Sequence, residues 1–208
     1  MMTTTTGSSA RPRIGIMGGT FDPIHVGHLA IAEEAREALA VERIVFVPAG
    51  VPPHKPAAEV TSAAHRVAMI ALAIAGNPAF ELSRIEVDRP GPSYTVDTVA
   101  LLAETAEVTL VVSAETFRQL PSWHETERLF AFARLAVVPR EGYPAPDPAW
   151  LAATFPGQES RVSYLDGPRL GLSSTAIRAR VAAGRSIRYV VPDAVAAYIA
   201  DHRLYRTA

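Results

Sequence analysis

The chain has 208 residues, 49% of them apolar, which suits a single domain of ordinary size with a sizeable buried core. Its formal net charge is −1, so the composition gives no electrostatic reason to expect nucleic acid or a membrane surface as a partner. The sequence contains no cysteine, which excludes disulfides, thiolate zinc sites and thiol nucleophiles.

The two ends of the chain differ in character. Residues 1–12 are rich in Thr and Ser and lack the apolar segment of a secretory signal, so we expect a disordered leader. Residues 13–208 are expected to form one domain with a small helical part at its C-terminal end. No apolar run approaches the length of a membrane span, and we therefore expect a cytoplasmic protein.

Strand-like and helix-like patterns alternate from residue 13 onwards. Short apolar or β-branched runs predict strands at residues 13–17, 43–47, 80–87, 108–112, 135–138 and 161–165. Periodicity and capping signals predict helices at residues 25–40, 62–76, 95–105, 125–131, 175–183 and 192–202, with a further short helix ending near 118. Ser93 or Thr95 is the expected cap of the third helix, and residues 141–158 are expected to be a loop with one helical turn near Trp150.

This alternation predicts an α/β fold, Rossmann-like and doubly wound, with a mainly parallel sheet and helices on both faces. In such sheets, ligands bind beyond the carboxyl ends of the strands, at the point where the strand order reverses. The loop after the first strand occupies that place if the strand is central.

The most informative stretch is that loop, residues 18–28, with the sequence GGTFDPIHVGH. A strand that turns through glycines into a helix directs backbone N–H groups and the positive end of the helix dipole at one point, which favours phosphate. His25 and His28 are three residues apart and share a helix face, where they could also be a solvated pair or a metal pair. Gly27, between them, is expected to let a ligand or another backbone approach closely. We favour a phosphate site.

Three other features carry chemistry. Ser173–Thr175 place hydroxyls at a predicted helix start with Arg178 on the same face, which suits either a simple N-cap or a polyphosphate clamp. Lys55 lies in the proline-rich loop after the second strand, at the same sheet edge. Tyr94 and Trp123 lie in connections, where an aromatic ring can stack on a planar ligand, although isolated aromatics are more often core residues.

Together these motifs closely resemble the bacterial nicotinate-mononucleotide adenylyltransferases, members of the His-x-Gly-His nucleotidyltransferase superfamily. The resemblance rests on GGTFDPxHxGH and SSTxxR, and extends to PPHK at 52–55, GPSYTVDT at 91–98 and SIRYVVPD at 186–193. Class I aminoacyl-tRNA synthetases share His-x-Gly-His, but they are far longer and carry a Lys-Met-Ser-Lys-Ser loop that this sequence lacks.

The resemblance implies adenylyl transfer from ATP to nicotinate mononucleotide, giving deamido-NAD and pyrophosphate, with Mg²⁺ bound through the ATP phosphates rather than by a protein metal site. It implies catalytic roles for His25, His28, Lys55 and Arg178. It implies ATP contacts from Gly18, Gly19, Thr20, Phe21, His25, His28, Ser113, Glu115, Ser174, Thr175 and Arg178. It implies acceptor contacts from Thr20, Lys55, Ser93, Tyr94, Thr95 and Trp123, with Trp123 stacked on the nicotinate ring.

One departure stands out. Where the family usually has Gly-x-Asp after the central strand, this chain has Ser113-Ala114-Glu115. Two classes of alternative therefore stay open: an adenylyltransferase for nicotinamide mononucleotide, phosphopantetheine or glycerol phosphate, and a nucleotide-binding regulator with a decayed site. The sequence also leaves the oligomeric state open, with a homodimer as one option.

Overall fold

The structure is a computed structural model that describes residues 11–52 and 60–206. The strands are β1 (Arg13–Gly19), β2 (Arg43–Pro48), β3 (Phe80–Leu82), β4 (Glu107–Ser113), β5 (Ala133–Val138) and β6 (Val162–Tyr164). The α-helices are α1 (Val26–Ala38), α2 (Ala63–Ile74), α3 (Thr95–Ala103), α4 (Ala114–Gln119), α5 (Thr126–Phe132), α6 (Pro148–Thr154), α7 (Ser174–Ala182) and α8 (Asp193–Asp201).

The strands form one sheet in the order β3-β2-β1-β4-β5-β6, and every neighbouring pair is parallel. The chain winds outward from β1 to β3 and then returns to β4 on the other side of β1. The order therefore reverses between β1 and β4, which is where doubly wound sheets bind ligands. The predicted Rossmann-like fold is confirmed.

The two faces of the sheet carry separate apolar cores, because side chains alternate along each strand. Ile14 and Ile16 of β1 pack with α3, α5 and α6 on one face, whereas Met17 packs with α1, α2, α7 and α8 on the other. Gly15 of β1 leaves room for the neighbouring strand, since a Cβ at this residue would overlap the side chain of Ile44 on β2.

The predicted strand at 80–87 is wrong beyond Leu82. The backbone turns after β3: the N–H of Asp88 donates to the carbonyl of Arg84 over 2.9 Å, and the two side chains form an ion pair over 2.7 Å. This turn directs Glu86 inward, where its carboxylate accepts from the Thr98 hydroxyl over 2.7 Å. An extended run through residue 87 would have placed successive side chains on opposite faces of the sheet.

Two helix predictions also need correction. Tyr94, rather than Ser93 or Thr95, precedes the first residue of α3, and no side chain caps this helix start. Residues 141–158 contain a seven-residue helix, α6, instead of a single turn. The Asp147 carboxylate caps α6 by accepting from the N–H of Trp150, with Pro148 in the first turn, a signal that was present in the sequence.

No α-helix in the described residues, 11–52 and 60–206, is long and apolar enough to cross a membrane.

Candidate active site

A cavity of about 1040 Å³ opens at the carboxyl ends of β1 and β4. The first turns of α1, α3, α4 and α7 line it, so four helix starts face one space. Backbone N–H groups in a first helical turn have no partner within the helix, and this end of the helix dipole is positive. The cavity is therefore suited to anions before any side chain is considered.

The two histidines line this cavity just after the end of β1. The sequence predicted a turn through Gly18 and Gly19, but both glycines belong to β1 and pair with β2, and the turn lies at Asp22 and Pro23. Their rings stack with centroids 3.7 Å apart and planes inclined by 21°. The N–H of His25 donates to Nδ1 of His28 over 3.2 Å, so a neutral His28 carries its proton on Nε2. His25 is only 4% exposed, and its Nδ1 makes no hydrogen bond with any described residue.

Gly27 makes this stack possible. A Cβ at residue 27 would lie 3.0 Å from Nδ1 and 3.1 Å from Cε1 of His25, so the ring would have to shift by a few tenths of an ångström. The close approach expected from the sequence therefore exists, but the approaching group is the His25 ring rather than a second backbone.

The surroundings hold both histidines in the neutral form. Burial, followed by the positive charge of Arg140, lowers the pKa of His25 from 6.5 to about 4. Burial, then His25 and Arg140, lowers the pKa of His28 well below 6.5. Two neutral rings donate through N–H groups and can take up a proton when an anion arrives.

Arg140 is a cavity residue that the sequence analysis missed. Its guanidinium donates to the Leu172 carbonyl over 2.9 Å and lies 3.5 Å from the Glu115 carboxylate. Arg140 follows β5 at the sheet edge where β1 also ends, but it belongs to no motif of fixed spacing. Only its position after a strand could have suggested it.

The start of α7 lies against residues 22 and 23, just before the histidines, although it is more than 140 residues from β1 in the sequence. The Ser173 hydroxyl accepts from the N–H of Ala176, so Ser173 is the helix cap. Ser174 donates to the carbonyl of Pro23 over 2.9 Å, and Arg178 donates to the carbonyl of Asp22 over 2.7 Å. Of the two interpretations of these hydroxyls, the cap applies to Ser173, whereas Ser174 and Arg178 join α7 to the histidine loop.

Ser113 and Glu115, which stand where the Gly-x-Asp pattern was expected, also have defined partners. Ser113 caps α4, accepting from the N–H of Thr116 over 3.1 Å, and Glu115 pairs with Arg140. Both line the cavity. The longer carboxylate thus reaches an arginine that itself influences the histidine pair.

The opposite wall is aromatic and contains a buried carboxyl group. Tyr94 lies against His124 with ring centroids 4.3 Å apart, and Trp123 is half-buried beside them. Ser93 is 8% exposed, and its hydroxyl accepts from the N–H of Gly50 over 2.9 Å. Burial raises the pKa of Glu86, whose carboxyl group lies in this wall.

All of the predicted site residues that the structure describes line this single cavity. Lys55 lies outside the described residues. His124, Glu86 and Arg140 also line the cavity without having been predicted. Residues 11–52 and 60–206 contain no group of three or more His, Asp or Glu side chains arranged to hold a metal ion.

The Cytidylyltransferase-like family model matches residues 16–180. A probable nicotinate-nucleotide adenylyltransferase of Roseiflexus sp. (strain RS-1) is 52% identical over 195 residues, covering 93% of this chain and 98% of that protein. A relative with the same name from Thermus thermophilus is 46% identical over 197 residues, covering 93% of this chain and all of that protein (100%). The fold is similar to that of Plasmodium falciparum nicotinic acid mononucleotide adenylyltransferase complexed with NaAD, with a TM-score of 0.76 at 20% identity, covering 93% of this chain and 97% of that one.

Proposed function

The chain belongs to the nicotinate-nucleotide adenylyltransferase family, and on that basis we propose that it transfers the adenylyl group of ATP to nicotinate mononucleotide. The products would be deamido-NAD, a precursor in NAD biosynthesis, and pyrophosphate. One observation carries the proposal: residues from three distant parts of the chain, 18–28, 93–123 and 174–178, line one cavity. That cavity has an anion-binding side and an aromatic side, as a nucleotide and a pyridine mononucleotide require.

The ATP phosphates would lie between the start of α1 and the start of α7. Gly18 offers open space there, since a Cβ at this residue would meet nothing within 4 Å. His25, His28, Thr175 and Arg178 supply donors around that space. Arg178 is already fixed by its bond to the Asp22 carbonyl, so little reorganisation accompanies binding.

The acceptor would lie against the aromatic wall. Trp123 would stack on the pyridine ring, and the uncapped first turn of α3 would receive the ring carboxylate through its backbone N–H groups. This arrangement favours the acid over the amide, because a carboxylate gains more from a helix start than a neutral carboxamide does.

The chemistry needs positioning more than proton transfer. The acceptor phosphate is already ionised at neutral pH, so its oxygen can attack the α-phosphate of ATP without a strong base. The barrier comes from bringing two anions together and from the charge on the departing pyrophosphate. The rings of His25 and His28 would donate to the phosphates, and protonation on ATP binding would strengthen those bonds. We therefore propose direct in-line transfer without a covalent enzyme intermediate.

Mg²⁺ fits this arrangement as a companion of ATP. Since the described residues offer no group of three or more His, Asp or Glu side chains arranged for it, phosphate oxygens would be its main ligands, and the Ser174 and Thr175 hydroxyls of the cavity could add neutral oxygen donors. When bound, the ion neutralises phosphate charge.

Pyrophosphate release with four acceptors tests the proposal: nicotinate mononucleotide, nicotinamide mononucleotide, phosphopantetheine and glycerol phosphate. We expect kcat/KM for nicotinate mononucleotide to exceed that for the amide by about 100-fold, as a charged group bound by buried donors discriminates strongly. A preference for the amide or another acceptor would overturn the substrate assignment. ATP binding without pyrophosphate release from any of the four would indicate a regulator instead.

A further inference from the structure

Arg66 is a buried charged residue that no motif of the sequence indicated. It lies on α2 and is 1% exposed, among the most deeply buried large side chains of the described residues. Its neighbours Met69 and Ile70 on the same helix are buried and apolar. A guanidinium in such a place is costly unless its donors are bonded, so its partners matter.

Those partners are three main-chain carbonyls from three separate segments. Nη1 donates to Thr20 over 3.0 Å, Nε to Thr61 over 2.9 Å, and Nη2 makes a longer contact with Gly50 of 3.4 Å. Asp22, whose carboxylate accepts from the N–H of Thr61 over 3.1 Å, adds a negative charge nearby. One planar side chain thus joins the residues just beyond the paired ends of β1 and β2, where the N–H of Ala49 still donates to the carbonyl of Gly19, to the segment before α2.

Two of these segments lead to different halves of the cavity. Thr20 directly follows β1, on the side of the cavity proposed for ATP. Gly50 leads to the acceptor side, because its N–H donates to the buried Ser93 hydroxyl, directly before Tyr94 and the start of α3. Gly50 also lies so close to the Glu86 carbonyl that a Cβ would overlap it. A series of hydrogen bonds therefore connects Thr20 on the ATP side, through Arg66 and Gly50, to Ser93 on the acceptor side.

We propose that Arg66 is a positioning residue. It would set the distance between the segment at Thr20 (the ATP loop) and the segments at Gly50 and Ser93 (the acceptor loop) without touching either substrate. This inference rests on the proposed function, since it assigns the two loops to the two substrates. In-line transfer requires the acceptor oxygen and the α-phosphorus within a narrow range, and a displacement of about 1 Å can cost about 100-fold in rate. Each substrate would still meet its own contacts if the loops moved apart.

The test compares Arg66→Met, Arg66→Lys and a matched control, Arg161→Met. Arg161 also donates to a main-chain carbonyl, that of Ala133 over 3.2 Å, but lies outside the cavity. We expect Arg66→Met to lower kcat about 100-fold while both KM values change less than about threefold, because alignment is lost and binding is kept. Arg66→Lys keeps the charge but cannot span three carbonyls, so its kcat should lie between those of Arg66→Met and the parent.

Amide hydrogen exchange in the ligand-free variants provides a readout independent of turnover. We expect the amides of Gly50 and Thr61 both to lose protection in Arg66→Met, and neither to change in Arg161→Met. A parent-like kcat in Arg66→Met, or lost protection at only one of the two amides, would overturn the proposal. If Arg66→Met does not fold, the same two measurements on Arg66→Lys decide whether the proposal stands. If the parent protein releases no pyrophosphate from nicotinate mononucleotide, the proposed function fails while the exchange measurement still tests the loop connection.

Discussion

The two walls of the cavity are built differently. On the side that we propose for ATP, the side chains are held by the protein itself: His25 stacks on His28, and Ser174 and Arg178 are bonded to the carbonyls of residues 23 and 22. On the acceptor side, Trp123 is half-buried and His124 is exposed, and their fixed contacts come mainly from backbone and ring packing. The ATP wall is preorganised, whereas the acceptor wall offers surfaces that a planar ring completes.

This difference separates the expected kinetic effects of substitution. Contacts fixed before binding and aimed at developing charge act on the transition state and hence on kcat. Half-exposed aromatic rings bury area against the substrate in ground state and transition state alike, so their loss acts mainly on KM. The following predictions test this contrast, from the largest expected effect to the smallest.

Removing either histidine should have the largest effect. We expect His25→Ala and His28→Ala each to lower kcat by about 1000-fold, as for loss of a preorganised donor to phosphate charge. Steady-state pyrophosphate release measures this, with His202→Ala as an exposed histidine control outside the cavity. Near-parent turnover in His25→Ala would remove the basis of the contrast.

The buried histidine should also make the stability depend on pH. The pKa of His25 is lowered from 6.5 to about 4 in the folded protein, so the unfolded chain binds more protons between these values. The contribution of His25 to the free energy of unfolding is therefore fully present above pH 6.5, and about 3 kcal/mol of it is lost as the pH drops through 4. Denaturant unfolding across this range should show a weaker slope in His25→Gln than in the parent. Parallel curves would contradict the assigned pKa.

Gly27→Ala should displace the His25 ring within the stack without removing a functional group. The added Cβ would push against the His25 ring, displacing a preorganised donor, and we expect kcat to fall about 10- to 100-fold. Gly76→Ala is the matched control, since a Cβ there meets nothing within 4 Å. If Gly27→Ala keeps full turnover, the stacked geometry is not required.

The smallest effect is expected on the acceptor wall. Trp123→Ala should raise KM for nicotinate mononucleotide about 10-fold, which corresponds to about 1.4 kcal/mol of lost stacking, with KM for ATP nearly unchanged. Trp123→Phe should recover part of the loss. Trp150→Phe, a change in the core outside the cavity, serves as the control. A fall in kcat at constant KM would show that the acceptor wall also acts on the transition state.

The sequence predicted most of the fold because strand and helix periodicities are local properties. It failed where tertiary contacts overrode them. The run after β3 looked extended, but Glu86 turns inward, where its carboxylate accepts from the Thr98 hydroxyl of α3. Ser93 looked like a helix cap, but its hydroxyl is bonded to Gly50, 43 residues earlier.

By itself, the sequence determined the histidine pair, the Ser-Ser-Thr-x-x-Arg motif and hence the family, because these depend on fixed spacing within single segments. Only the tertiary structure decided that burial, together with Arg140, lowers the pKa of both histidines and that Gly27 leaves room for a ring. It also decided that Arg66 joins three loops. The physical reason is that electrostatic influence, steric room and carbonyl partners depend on distance in space, which spacing along the chain does not encode.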